Sequence, residues 1–214
     1  MHAWKSSIWR QARPLCFKTG GTLCHVVKGG KSCTSLFTGD MAPALMVLGA
    51  TVQLSNGKGQ KTILLQELYT GDGQKPLAFL PGEIVTEVQL PFAQPNSGSC
   101  YLKHSFRKAV DFAIASVAVL ITLDKDGVCT DARIALGSVA SAPVRAVKAE
   151  SVLKDKKLVA ALAEKAAGLA IKDIGPIVAI GPAVEYKKKV ITFIASKAIQ
   201  EAAEAARCKM RGNN

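Results

Sequence analysis

Hydrophobic and polar positions sort this chain into short alternating runs first and longer helical stretches later. Asp40 is placed to cap a short helix, with Pro43 in its first turn, Ala44–Ala50 carrying it and Gly49 near its end. Thr51–Leu54 reads as a strand, residues 55–60 (SNGKGQ) as a turn, and Lys61–Leu64 as the returning strand. Gln66–Tyr69 suits a helical turn that stops at Gly71. Ile84–Leu90 alternates, putting Ile84, Thr86, Val88 and Leu90 on one face of a strand. The pattern breaks at Pro91–Ser99 (PFAQPNSGS), where Pro, Gly, Asn and Ser crowd together. Beyond it Tyr101–Arg107, Ile114–Leu123 and Val128–Leu136 read as strands, the last two joined by the turn Asp124–Gly127. Three helices are expected next, over Val144–Leu153, Lys157–Ile171 and Ala183–Arg207. The last carries Tyr186, Val190, Ile194 and Ala198 along one face. The fold class is α+β, with a three-stranded antiparallel sheet under helices in the second part. The break divides the chain into domains at 1–92 and 99–207.

Composition narrows the possibilities. The chain has 214 residues, 49% of them hydrophobic, so packed cores are expected rather than global disorder. Six cysteines are too few for a disulfide-stapled secreted scaffold. The N-terminus lacks a signal-peptide apolar core, although its Arg and Ser content and lack of acids resemble a transit peptide. The longest apolar run, Phe112–Leu123, is too short to cross a bilayer. A soluble, reducing, cytoplasmic setting is expected. The net charge is +12, and half of it precedes Asp40, in Lys5, Arg10, Arg13, Lys18, Lys28 and Lys31. Aromatics are only 6% and do not interleave with the lysines, which argues against a nucleic-acid stacking platform. Solvated helix faces together with a docking surface for acidic partner subunits account for the charge better.

The chemistry-bearing residues concentrate in two places. Cys16, Cys24 and Cys33 are spaced C-x7-C-x8-C in a glycine-rich, acid-free segment. They are either plain reduced thiols or ligands of an inorganic cluster, and the usual iron–sulfur set has four. His25 beside Cys24 reads first as a hydrogen-bonded structural histidine. Lys103 and Arg107 lie on a strand just past the break, where a groove between domains could take a phosphate or a flavin, or where they could be ordinary edge charges. There is no GxSxG elbow, HExxH helix or Walker loop, so a hydrolase is not supported.

Several segments, in order, resemble the flavin subunit of molybdenum hydroxylases, the xanthine dehydrogenase and CO dehydrogenase family. They are Thr38-Gly39-Asp40-Met41-Ala42-Pro43-Ala44-Leu45, Leu80–Val85, Tyr101-Leu102-Lys103 with Arg107 and Asp111, Ala132–Gly137 with Pro143, Arg145 and Glu150, and Glu185-Tyr186-Lys187. The resemblance implies the second half of a PCMH-type FAD-binding domain followed by a CO dehydrogenase flavoprotein C-terminal-like domain. It implies FAD contacts by Asp40 at the ribityl or ribose region, Val85 near the adenine or flavin, and Lys103 beside the isoalloxazine, with the loop Phe106–Val110 approaching. The cysteine segment, over about residues 10–36, resembles an insertion in the beta subunit of 4-hydroxybenzoyl-CoA reductase. That likeness makes Cys16, Cys24 and Cys33 three ligands of an added 4Fe-4S cluster, with a fourth upstream.

The resemblance thus implies an N-terminally truncated subunit whose isolated chain binds FAD weakly or not at all and holds no stable cluster. Electrons would pass between iron–sulfur clusters, FAD and molybdenum, with molybdopterin and 2Fe-2S centres on a large and a small partner subunit. The alternatives are a degenerate assembly module of such a complex and a basic nucleic-acid-binding protein.

Overall fold

The computed structural model describes residues 8, 11–27, 29–174 and 184–212. Helix α1 (Met41–Val47) leads into strands β1 (Thr51–Asn56), β2 (Gly59–Leu64) and β3 (Ile84–Gln89), with a 3-10 turn at Leu65–Leu68. These strands form an antiparallel sheet in the order β2-β1-β3. Strands β4 (Ser97–His104), β5 (Ala115–Leu123), β6 (Cys129–Gly137) and β7 (Val144–Arg145) form a second antiparallel sheet in sequence order. Helices α2 (Val147–Leu153), α3 (Ala160–Ala170) and α4 (Val184–Gly212) follow.

Strand β5 explains the apolar run that the sequence displays. Val117, Val119 and Ile121 pack with Ile134 and Leu136 of β6 beneath α2, α3 and α4. Ala118 and Ala135 face the other way, into a second core with Met46, Val47, Val52 and Leu54. A central strand covered on both faces loses the polar half of its alternation. The small residues on the second face let α1 lie close: a side chain on Gly137 would come within 2.8 Å of Pro43.

Most expected elements form, with differences that have local causes. A two-residue strand, β7, joins the three expected in the second sheet, because Val144 and Arg145 pair with Leu136 and Ala135 after Pro143. Helix α2 therefore begins at Val147 rather than Val144. Helix α3 begins at Ala160 rather than Lys157, because residues 155–157 bind back to the chain near β6, through Cys129 N to Lys156 O (2.9 Å) and Asp155 N to Cys129 O (2.8 Å). Strand β4 starts at Ser97, inside the Pro-rich break. Strand β3 forms, but its expected apolar face has no cover among the described residues: Ile84, Val88 and Leu90 are all exposed.

The expected face of α4 is packed at Ile194 and Ala198, with Val190 partly buried against the core, and the buried stripe is broader than expected. It runs through Lys187, Ile191, Ile194, Ala195, Ala198, Ala202 and Ala206, whereas Tyr186 is exposed. The start expected at Ala183 lies outside the described residues. Alanine dominates the stripe because β4 comes very close. A Cβ on Gly98 would sit 2.9 Å from Ala205 C, and closer still to Ala202 O and Ala206 N.

Candidate functional site

Pleating sets the site. Along β4, Cys100 and Leu102 turn toward the helices, so Tyr101 and Lys103 turn toward α1. Asp40 immediately precedes α1. It does not cap the helix as expected: its own backbone is helical (φ −76°, ψ −38°) and its side chain makes no cap bond. Its carboxylate instead accepts from Lys103 Nζ at 2.6 Å and from the Tyr101 hydroxyl at 3.2 Å. Burial, together with the neighbouring Asp40 charge, pushes the Tyr101 phenol above its ordinary value. Tyr101 was legible only as part of a family pattern, because nothing in the sequence marks it as the partner of a residue 61 positions away.

Lys103 Nζ also donates to the Asp111 carbonyl at 2.7 Å. This ties the β4–β5 loop to the strand. The loop closes where Ile114 N donates to His104 O at 2.7 Å. Inside it, Asp111 accepts from the backbone N–H of Arg107 (3.1 Å) and of Phe112 (2.9 Å), with the Arg107 guanidinium 3.6 Å away. Burial opposes the Asp111 charge, but these donors outweigh it and hold the carboxyl below the usual carboxylate range. At the strand end, His104 Nε2 lies 3.0 Å from the Tyr186 hydroxyl, which links β4 to the first turn of α4.

Together these residues line an open groove of about 750 Å³, with Asp40, Lys103, His104, Phe106, Arg107 and Asp111 on its walls. Phe106 and Val110 expose apolar surface there, and Val110 is held at φ +21°, a costly angle for a β-branched residue. A cation with fixed partners beside apolar surface suits the polar edge and flat face of a flavin ring. The structure brings Asp40, Lys103 and the Phe106–Val110 loop together. Val85 is not among the groove's lining residues; it sits on β3 opposite Leu54.

The cysteine segment lies against the 69–74 loop. Gly73 N donates to Cys33 O (3.1 Å), and Lys18 Nζ donates to Gly73 O (2.9 Å) and to Ser35 Oγ (3.3 Å). Cys24 Sγ accepts from the N–H groups of Val26 and Val27 at 3.4 Å each and pairs with Thr34 Oγ1 at 3.2 Å. Burial opposes ionisation of Cys16 and Cys24, but these bonds, and that from Thr19 Oγ1 to Cys16 Sγ, hold both thiols below their ordinary value. His25 Nε2 lies 2.8 Å from Pro14 O. Among the described residues, no three His, Cys, Asp or Glu side chains converge as a metal site. Among them, too, no helix is long and apolar enough to cross a membrane.

Comparison with known proteins agrees with this architecture. Residues 19–93 match the FAD binding domain in molybdopterin dehydrogenase, and residues 100–202 match the CO dehydrogenase flavoprotein C-terminal domain. The 6-hydroxypseudooxynicotine dehydrogenase complex subunit alpha of Paenarthrobacter nicotinovorans is 28% identical over 88% of this chain and 60% of its own length. The carbon monoxide dehydrogenase medium chain of Afipia carboxidovorans is 31% identical over 84% of this chain and 61% of its own. Among solved structures, reconstituted CO dehydrogenase from Oligotropha carboxidovorans superposes with a TM-score of 0.70 at 28% identity, over 78% of this chain and 57% of that one. The chain spans about 60% of the length of the curated relatives it matches. With both characteristic domains present in sequence and in fold, the chain belongs to the family of FAD-binding medium subunits of molybdenum hydroxylases.

Proposed function

We propose that this chain is the flavin-holding, electron-transfer part of a molybdopterin-dependent oxidoreductase. FAD supplies a carrier that takes up electrons and passes them on. The observation that carries the reading is Lys103, fixed between the Asp40 carboxylate and the Asp111 carbonyl at the wall of an apolar-flanked groove. Lys103 would donate to the polar edge of the ring, Asp40 would hold the lysine in place, and the Phe106–Val110 loop would shield the ring from water. A molybdopterin-binding large subunit and a 2Fe-2S small subunit would complete the path, consistent with relatives named as medium chains or as subunits of complexes.

Lys103→Ala is the direct test. Losing a hydrogen bond from a charged group costs about 1.5–3 kcal/mol, so FAD affinity is expected to fall about 10- to 100-fold. Titration of flavin fluorescence against the wild-type and variant chains measures this. Equal affinities would remove the groove as the flavin site.

The finer reading is a 4-hydroxybenzoyl-CoA reductase-like subunit with Cys16, Cys24 and Cys33 as ligands of an added 4Fe-4S cluster. The spacing and the bonds that favour thiolate at Cys16 and Cys24 support it. It requires the segment to close around the cluster. In a chain extended upstream to include the fourth cysteine, iron content after anaerobic reconstitution with iron and sulfide should drop in Cys24→Ser. Iron uptake indifferent to that substitution would exclude Cys24 as a ligand.

A further inference from the structure

The Ala132–Gly137, Pro143, Arg145 and Glu150 segment plays no part in the Lys103 groove. The structure shows that it builds something else. Arg133 on β6 and Arg145 on β7 line one recess of about 190 Å³, together with Met46, Gly49, Ala50 and the Leu64–Gln66 turn. The recess sits at the seam between α1, the end of β2 and the second sheet. It is smaller than the roughly 300–1,000 Å³ of sites for drug-sized ligands.

Each arginine is held from behind. Arg145 Nε donates to Glu150 Oε1 at 2.7 Å, and the same oxygen accepts from Ile134 N at 2.7 Å. Arg133 Nε donates to Asp131 Oδ2 at 2.9 Å, and its Nη1 approaches Val47 O at 3.5 Å. The carboxylates therefore occupy the Nε edges, and neither acid lines the recess. Among the described residues, Arg145 donates through Nε alone, which leaves both of its η nitrogens for water or a ligand. Two guanidinium groups facing one small space repel unless an anion lies between them. Glycine at position 49 helps to open this space. Its φ of +76° closes the C-terminus of α1, and a Cβ there would stand 2.9 Å from Arg133 Nη1.

We propose that this recess is a binding site for a single phosphate-class oxyanion. Two preset guanidinium groups match several oxygens of such an anion at little ordering cost. The neutral amide of Gln66 stands at the rim as a further donor. A bound anion would tie α1 and β2 to the second sheet, and so would brace the seam that positions Asp40.

Arginine modification of the full wild-type chain by phenylglyoxal, mapped by mass spectrometry, tests the site without any variant. Inorganic phosphate at twice its Kd should slow modification of Arg133 and Arg145 by about threefold by mass action. The rate at exposed Arg211, taken as the reference, should not change. Acetate at equal ionic strength should protect less. In Gln66→Glu, an exposed substitution that puts a negative charge at the rim, phosphate protection should disappear. Equal slowing at Arg211, equal protection by acetate, or undiminished protection in Gln66→Glu would each overturn the proposal. None of these readouts depends on flavin, so the result stands apart from the Lys103 experiment.

Discussion

Gly98→Ala should destabilise the chain by about 3 kcal/mol or more, the upper end for overpacking a filled core. In a chain of this size, that is a fall in Tm of roughly 6–12 °C. A methyl group at position 98 would meet the backbone of α4 at Ala202, Ala205 and Ala206, not a side chain that can rotate away. The helix itself would have to lift, and Val117, Val119 and Ile121 lie beneath the helical layer. The same strand carries Tyr101, Lys103 and His104, so the groove should loosen with the core. Gly168→Ala provides the contrast. That glycine lies in α3 with nothing within 4 Å of a new Cβ, so the substitution should stabilise by about 0.5–1 kcal/mol. Thermal unfolding of both variants decides the matter. A wild-type Tm in Gly98→Ala would refute the close approach of β4 and α4.

Lys187 should make stability depend on pH in the alkaline range. It is 1% exposed on the inner face of α4, and burial pushes its pKa down from 10.5 to about 8. Below pH 8 both the folded and the unfolded chain hold the proton, so this group leaves stability independent of pH there. Between pH 8 and 10.5 the unfolded chain holds more protons than the folded one, so stability rises with pH. The expected gain is about 1–3 kcal/mol. Lys187→Met keeps the length of the side chain and removes the charge. It should flatten this slope. Urea unfolding at several pH values between 7 and 10.5, compared between wild type and variant, measures the effect. Parallel pH profiles would show that burial does not lower the pKa of this lysine.

Legibility in the sequence depended on the range of the interactions concerned. The hairpin β5–β6 was readable because Asp124–Gly127 lies between two apolar runs, and turn chemistry is local. The start of α2 was misplaced because Val144 and Arg145 are claimed by β6, about ten residues upstream. On α4 the expected face is the packed one at Val190, Ile194 and Ala198, and Tyr186 alone falls outside it. Tyr186 fits the helical spacing, but the packed stripe is the one whose small residues fit against Gly98. Burial of Lys187 on that stripe runs against any hydropathy rule.

The candidate site divides in the same way. The sequence by itself marked Lys103 as a positive residue on a strand past the break, and family resemblance added Asp40 and the loop after it. Periodicity could place Tyr101 and Lys103 on one face of β4, since side chains alternate along a strand. It could not say that the start of α1 covers that face, because the pairing of Asp40 with Lys103 spans 63 residues. It also could not bring Arg133 and Arg145 to one recess, which needs β7 to add to the sheet edge and Gly49 to turn the chain beside them. Local periods and turn residues determine which elements exist. Which charged groups come to share a groove is decided by how the layers pack, because only burial of the two cores holds distant segments together.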